Sequence, residues 1–188
     1  MAKFVIYQVL PRLFGNYNPT RKHNGTIYEN GCGKFNNFTP KAFEAIKELG
    51  VTHIWYTGII EHATKTDYSS FGIRRDHPGV VKGNAGSPYA IKDYYDVDPD
   101  LADDVPNRMA EFEDLIRRTH DAGLKAIIDF VPNHTARLYY SDVKPEGVQD
   151  LGETDNPKLA FSPQNNYYYT PETAFTPSFD TGGYTEMP

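Results

Sequence analysis

Three short runs, residues 4–10, 51–57 and 124–131, are rich in apolar, β-branched and aromatic side chains, and the first of them is apolar on both faces. A strand written that way has no solvent face, which points to a parallel sheet covered by helices. Helical signals fill the intervals. Thr39 stands as an N-cap and Pro40 as a first helical residue, with Ala42, Ile46 and Leu49 on one face and Gly50 as the stop. A second helix is predicted over 107–122, with Met109, Phe112, Leu115, Ile116 and Thr119 buried, Glu111, Glu113, Arg117 and Arg118 exposed, and Gly123 as its stop. Strand, helix, strand, helix, strand is the order of an α/β domain.

The connections are as telling as the elements. Residues 15–37 form a long Gly/Asn-rich loop, and 58–106 carry no sustained period, far beyond the two to six residues usual between strand and helix. Loops of that length are usually functional. From residue 135 onward the pattern dissolves into Pro, Gly, Asn, Asp, Ser, Thr and Tyr, which predicts a separate irregular or short-stranded subdomain. The long connections after the second and third strands leave from their C-terminal ends, where α/β folds place their sites.

Several functions are excluded by composition. The chain of 188 residues has 19 Lys+Arg against 25 Asp+Glu, a formal charge of −6, and no basic run to meet a nucleic-acid backbone. The apolar run at 4–10 is broken by Gln8 and is far shorter than the roughly 20 residues that span a bilayer, so no membrane span is expected. It follows Lys3 at once and leads into Pro11-Arg12 with no small-residue cleavage site, so no leader is read and a cytoplasmic location is expected. The single cysteine, Cys32, makes no internal disulfide and has no base beside it in sequence. No Cys/His spacing suits zinc and no G-x-S-x-G elbow occurs. Aromatic residues make up 14%, with tyrosines clustered at Tyr94-Tyr95, Tyr139-Tyr140 and Tyr167-Tyr168-Tyr169. Such rings suit the C–H faces of sugars and the rims of ordinary cores alike.

Chemistry is concentrated at Asp129-Phe130-Val131-Pro132-Asn133-His134, where an apolar strand delivers a carboxylate, an amide and an imidazole to its C-terminal end. A charge in such a strand is costly unless paired. Asp129 either serves a site, or accepts hydrogen bonds from loop backbone while Asn133 and His134 cap the turn.

These six residues resemble the first conserved motif of the α-amylase family, glycoside hydrolase family 13. Residues 5–14, Val-Ile-Tyr-Gln-Val-Leu-Pro-Arg-Leu-Phe, resemble its first barrel strand, and 49–56, Leu-Gly-Val-Thr-His-Ile-Trp-Tyr, its second. Residues 87–99, in which Tyr89 lies four positions before Asp93, are similar to its segment ahead of the second helix. The match covers residues 3–134 in order and spacing. It implies an incomplete (β/α)8 TIM barrel: three strands and two helices over 1–134, then the start of a subdomain inserted after strand three over 135–188.

The resemblance also implies roles. Asp129 would steady the catalytic constellation through an Arg from the next strand, His134 would hydrogen-bond the sugar at the cleavage site, and Tyr89 would stack under the same ring. Asn133 matches a position that ligates a structural calcium in many members, and its amide oxygen is a hard donor of the kind calcium takes. The family's nucleophile and general acid come from barrel strands after the third, beyond the strands read here. The implied function is retaining hydrolysis or transfer of α-linked glucosyl units in starch, glycogen or maltooligosaccharides, with these 188 residues inactive alone. The alternative is a non-catalytic glucan-binding or interaction protein on the same scaffold.

Overall fold

In the computed structural model, residues 3–174 and 176–184 are described. β1 (Ile6–Val9), β2 (His53–Tyr56) and β5 (Lys125–Ile128) form one parallel sheet in the order β1-β2-β5. Ile6 pairs with His53 and Val9 with Tyr56; on the other side His53 pairs with Lys125 and Tyr56 with Ile128. Each strand is shorter than its apolar run, because pairing stops where the loops leave the sheet. Two helices make the crossovers: α2 (Pro40–Glu48) between β1 and β2, and α3 (Arg108–Asp121) between β2 and β5. Thr39 caps α2 as expected, its Oγ1 accepting the Ala42 N–H at 3.3 Å.

The core lies between sheet and helices. Phe43 and Ile46 of α2, Leu115 and Thr119 of α3, and Ile54 and Tyr56 of β2 are buried there with Phe35, Phe38 and Leu101. Thr119 is tolerated because its hydroxyl meets both the Leu115 carbonyl, at 2.8 Å, and the Tyr56 hydroxyl, at 2.7 Å. Two expected core positions fail. Leu49 is exposed because α2 ends before it, and Phe43 takes the face instead. Met109 is also exposed, because the neighbouring Arg108 is drawn inward by Asp96. Arg118, expected in solvent, is half-buried and donates to the carbonyls of Phe35, at 3.1 Å, and Phe38.

The loops contain structure that their sequence hides. α1 (Ile27–Asn30) is a single turn inside the first loop. Residues 58–106 contain β3 (Ile60–His62) and β4 (Ile91–Val97), antiparallel to each other and forming a second sheet. Irregularities on both sides of Glu61 in the β3–β4 register break the alternation a strand would show. The described part of 135–184 contains no helix or strand, the irregular of the two expected alternatives. Among the described residues no helix is long and apolar enough to cross a membrane.

Candidate active site

The parallel sheet ends in three loops, and the second sheet draws two of them together. Asp129 follows β5 and donates its N–H to the Tyr56 carbonyl at 3.1 Å, which fixes it at the C-terminal end of the strand pair. The sequence predicts a carboxylate buried inside a strand. Instead β5 ends at Ile128, Asp129 is half-buried, and Asn133 and His134 are exposed. The reason is position, because β5 is an edge of its sheet and Ile128 and Phe130 are exposed with it.

Tyr94 of β4 holds the turn that carries these residues. Its hydroxyl lies 2.5 Å from the Val131 carbonyl oxygen and 3.3 Å from that of His134, so its single proton is shared across the turn. Its ring packs against Phe130 and Tyr139, with centroids 5.5 and 5.7 Å away. The chain then runs beside the start of β4, Ala136 N–H donating to the Ile91 carbonyl at 2.6 Å and Tyr140 N–H to that of Lys92 at 3.0 Å.

Tyr89 lies two residues before β4. Its neighbour Pro88 covers Gly58, where a Cβ would meet Pro88 Cβ at 2.8 Å and Leu10 Cδ1 at 3.3 Å. Since Leu10 and Gly58 follow β1 and β2, the Tyr89 segment lies over the C-terminal ends of those strands. Gly86 makes that seating close, for a Cβ there would fall 1.7 Å from the Ala63 carbonyl oxygen, and its φ is +73°. Tyr89 is 47% exposed and lines an open cleft of 710 Å³ with His23, Asn24, Lys82, Asn84 and Pro88. A second cleft of 540 Å³, reaching Arg12 and Cys32, shares Gly25, Asn30, Asn84 and Ala85 with it. The sequence-predicted residues thus emerge at one end of the sheet: Tyr89 above β1 and β2, and Asp129, Asn133 and His134 beyond β5.

Beneath these loops the second sheet is ionic. Carboxylate oxygens of Glu61, Asp93 and Asp96 lie within 4.8 Å of one another. Cations already face them. Lys92 Nζ is 3.4 Å from Glu61 and 3.5 Å from Asp76, while Arg108 donates to Asp96 through Nε, at 2.8 Å, and through Nη2. Asp93 accepts the N–H groups of Tyr95, at 2.7 Å, and Asp142, at 3.0 Å. A metal ion would have to displace the guanidinium, so the grouping is an ion-pair network and does not fit a metal. Burial pushes the Glu61 carboxyl up to about 8 against the pull of Lys92, and it raises Asp93 as well. Burial raises Asp76, the other carboxylate beside Lys92, in the same direction.

A further buried group joins the first loop to the same sheet. Arg12 Nη2 lies 2.5 Å from His62 Nε2 and donates to the Ala85 carbonyl at 2.7 Å. A guanidinium cannot accept, so Nε2 is the acceptor and Nδ1 carries the proton. Burial, helped by Arg12, lowers the His62 pKa to about 4, so its 3.5 Å approach to Asp98 is not an ion pair at neutral pH. Burial raises Asp98 to about 6. Cys32 is half-buried with its thiol pushed up to about 12, mainly by burial, which leaves it unreactive as its sequence context suggests. Sequence reasoning missed Tyr94 and the Glu61–Lys92 network; the one signal was the tyrosine pair at 94–95.

The family model described as Alpha amylase, catalytic domain, matches residues 8–176. Over 148 residues the chain is 28% identical to the cyclomaltodextrin glucanotransferase of Bacillus sp. (strain 6.6.3), covering 73% of this chain and 18% of that protein. It is also 28% identical over 131 residues to the amino acid transporter heavy chain SLC3A1 of Homo sapiens, covering 70% of this chain and 14% of that one. Among solved structures, an α-amylase from Geobacillus thermoleovorans complexed with acarbose matches 72% of this chain and 24% of its own, with 26% identity and a TM-score of 0.50. The chain thus spans less than a quarter of the length of each of these proteins, and its parallel sheet is part of a (β/α)8 barrel.

Proposed function

Because the chain belongs to the α-amylase family, we propose that the protein of which it forms part is a retaining glycoside hydrolase or transferase acting on α-glucosidic bonds of starch, glycogen or maltooligosaccharides. The observation that supports this most is the seating of the Tyr89 segment over the ends of β1 and β2, tied through β4 to the turn that carries His134. In this reading Tyr89 stacks under the sugar ring at the scissile bond and His134 hydrogen-bonds its hydroxyls. Asp129 is a positioning residue for the reacting groups. Retention requires a carboxylate nucleophile and a carboxylic acid about 5 to 5.5 Å apart. Those two are not among the residues assigned here, so this chain's share is to bind and orient, and alone it is expected to release no reducing sugar.

Asn133 presents a neutral hard oxygen at the same turn and, in this reading, contributes it to a structural calcium ion that ties β5 to the following subdomain. Treating the full-length protein with a chelator should lower its thermal midpoint, and an unmoved midpoint removes calcium from the proposal.

The deciding experiment is Tyr89→Ala and His134→Ala in the full-length protein. Each should lower kcat/KM on maltoheptaose by more than about tenfold with the melting temperature nearly unchanged, since both residues are exposed. Equal loss of stability and activity would make both residues structural. The similarity to a transporter heavy chain keeps a second reading in view, a non-catalytic interaction protein on this scaffold. Absence of both reducing-sugar release and glucosyl transfer by the full-length protein on any α-glucan selects it.

A further inference from the structure

The tyrosine cluster at 167–169 is not used by the site described above. Tyr168 is 81% exposed and Phe161 64% exposed, and their rings stack on each other with centroids 5.6 Å apart and planes 20° apart. The two residues face one another across a narrow loop closed by Tyr169 N–H donating to the Ala160 carbonyl at 3.2 Å.

Polar contacts fix that loop from inside. The Asp155 carboxylate accepts the N–H groups of Asn166 and Tyr167 and the Tyr169 hydroxyl, at 2.8 to 3.0 Å. The Asn165 amide bonds both main-chain groups of Asn156 at 2.9 and 3.0 Å. Tyr167 turns the other way, its hydroxyl 3.2 Å from Thr135 Oγ1, next to His134. The exposed pair is therefore held out on a pinned loop that is fastened to the turn of the candidate site.

We infer that Phe161 and Tyr168 form an accessory sugar-binding platform that takes a glucosyl unit of an α-glucan chain beyond the ring held at Tyr89 and His134. The inference rests on the α-glucan reading for the identity of the sugar. Two observations select a neutral carbohydrate. The outer faces of the stacked rings are electron-rich and apolar, which suits the axial C–H groups of a pyranose. The stretch 159–171, bounded by Lys158 and Glu172, contains no charged residue, only amides, hydroxyls, aromatics, prolines and the apolar Leu159 and Ala160. A protein partner is favoured by an arginine or charged rim around an aromatic anchor, and an anionic membrane by lysines. Neither is present in this stretch.

The test uses the full-length protein, electrophoresed through gels with and without amylopectin, and assayed on amylopectin and on maltotriose. The double variant Phe161→Ala/Tyr168→Ala should lose amylopectin retardation by about fivefold or more and raise KM for amylopectin to a similar extent. Turnover of maltotriose should be unchanged. Tyr168→Trp, which keeps an aromatic face, should keep the retardation and answers any concern that the double variant misfolds. Wild-type protein that is not retarded, a double variant retarded like wild type, or a Tyr168→Trp variant that loses retardation overturns the platform. Retardation that depends on the pair, with no sugar released from either substrate, supports the platform while the hydrolase reading fails.

Discussion

The hydroxyl of Tyr94 lies 2.5 Å from the main-chain carbonyl oxygen of Val131 and ties the strand of one sheet to the loop leaving the other. Replacing Tyr94 by Phe removes this tether and keeps the ring against Phe130 and Tyr139. A hydrogen bond of this kind contributes about 1 kcal/mol. In the full-length protein kcat on maltoheptaose should fall by about fivefold, with the melting temperature within about 2 °C of wild type. A raised KM at constant kcat, or no change in either, would show that the turn keeps its place without the phenol.

The Asp96–Arg108 pair is buried, with 2% and 10% of the two side chains exposed. Asp96→Ala leaves the guanidinium without its carboxylate in the interior and should cost about 3–5 kcal/mol in urea unfolding. The double change Asp96→Leu/Arg108→Met removes both charges and should cost less than the single change. A single variant as stable as wild type would mean that water reaches Arg108.

Gly86 and Gly50 both have positive φ, at +73° and +76°, but only Gly86 is crowded. Gly50→Ala meets nothing within 4 Å, so its cost is the backbone strain alone, about 1 kcal/mol. Gly86→Ala drives a methyl group into the Ala63 carbonyl and must shift the segment leading to Tyr89. It should cost more than about 2 kcal/mol and raise KM for maltoheptaose, where Gly50→Ala leaves KM alone. Equal behaviour of the two variants would disprove the close seating of that segment.

Glu61 sets a dependence on alkaline pH. Burial raises its pKa in the folded state to about 8 from an ordinary 4.5, so the folded chain binds more protons than the unfolded chain between those values. Stability from this group is fully present below about 4.5 and is lost as pH rises through about 8. His62 acts in the opposite sense, its folded pKa lowered to about 4 from 6.5, and its effect ends by about pH 6.5. Between pH 7 and 9 Glu61 therefore acts without it. Glu61→Gln should melt about 3 °C or more above wild type at pH 9, with a smaller difference at pH 7. A difference that does not grow with pH would place the lost proton elsewhere.

The parallel sheet was legible because its signals are local. Thr39 and Pro40 start α2, Gly50 and Gly123 follow the helix ends, and β-branched runs mark the strands, so each element declares itself within a few residues. Leu49 and Met109 misled for the opposite reason. Whether an apolar side chain near a helix end is buried depends on where the helix stops and on what its neighbour binds, and Arg108 is drawn inward by Asp96, twelve residues away. β3 and β4 were illegible because their inward groups include Glu61, Lys92 and Asp93, charges that any hydrophobic pattern assigns to solvent. Only their mutual pairing, invisible along the chain, makes them an interior. Tyr89 and His134 are singled out by sequence motifs, whereas Tyr94 acts through a carbonyl partner that no sequence pattern records.

Among the described residues, β3 and β4 pair with each other and with no strand of the parallel sheet. The register of the parallel strands is thus set apart from the pairing of β3 and β4, although Ile59, Val97 and Leu101 of the connection between β2 and α3 share the core with Ile54 and Tyr56 of β2. The two sheets are thus built by separate pairings around one shared interior.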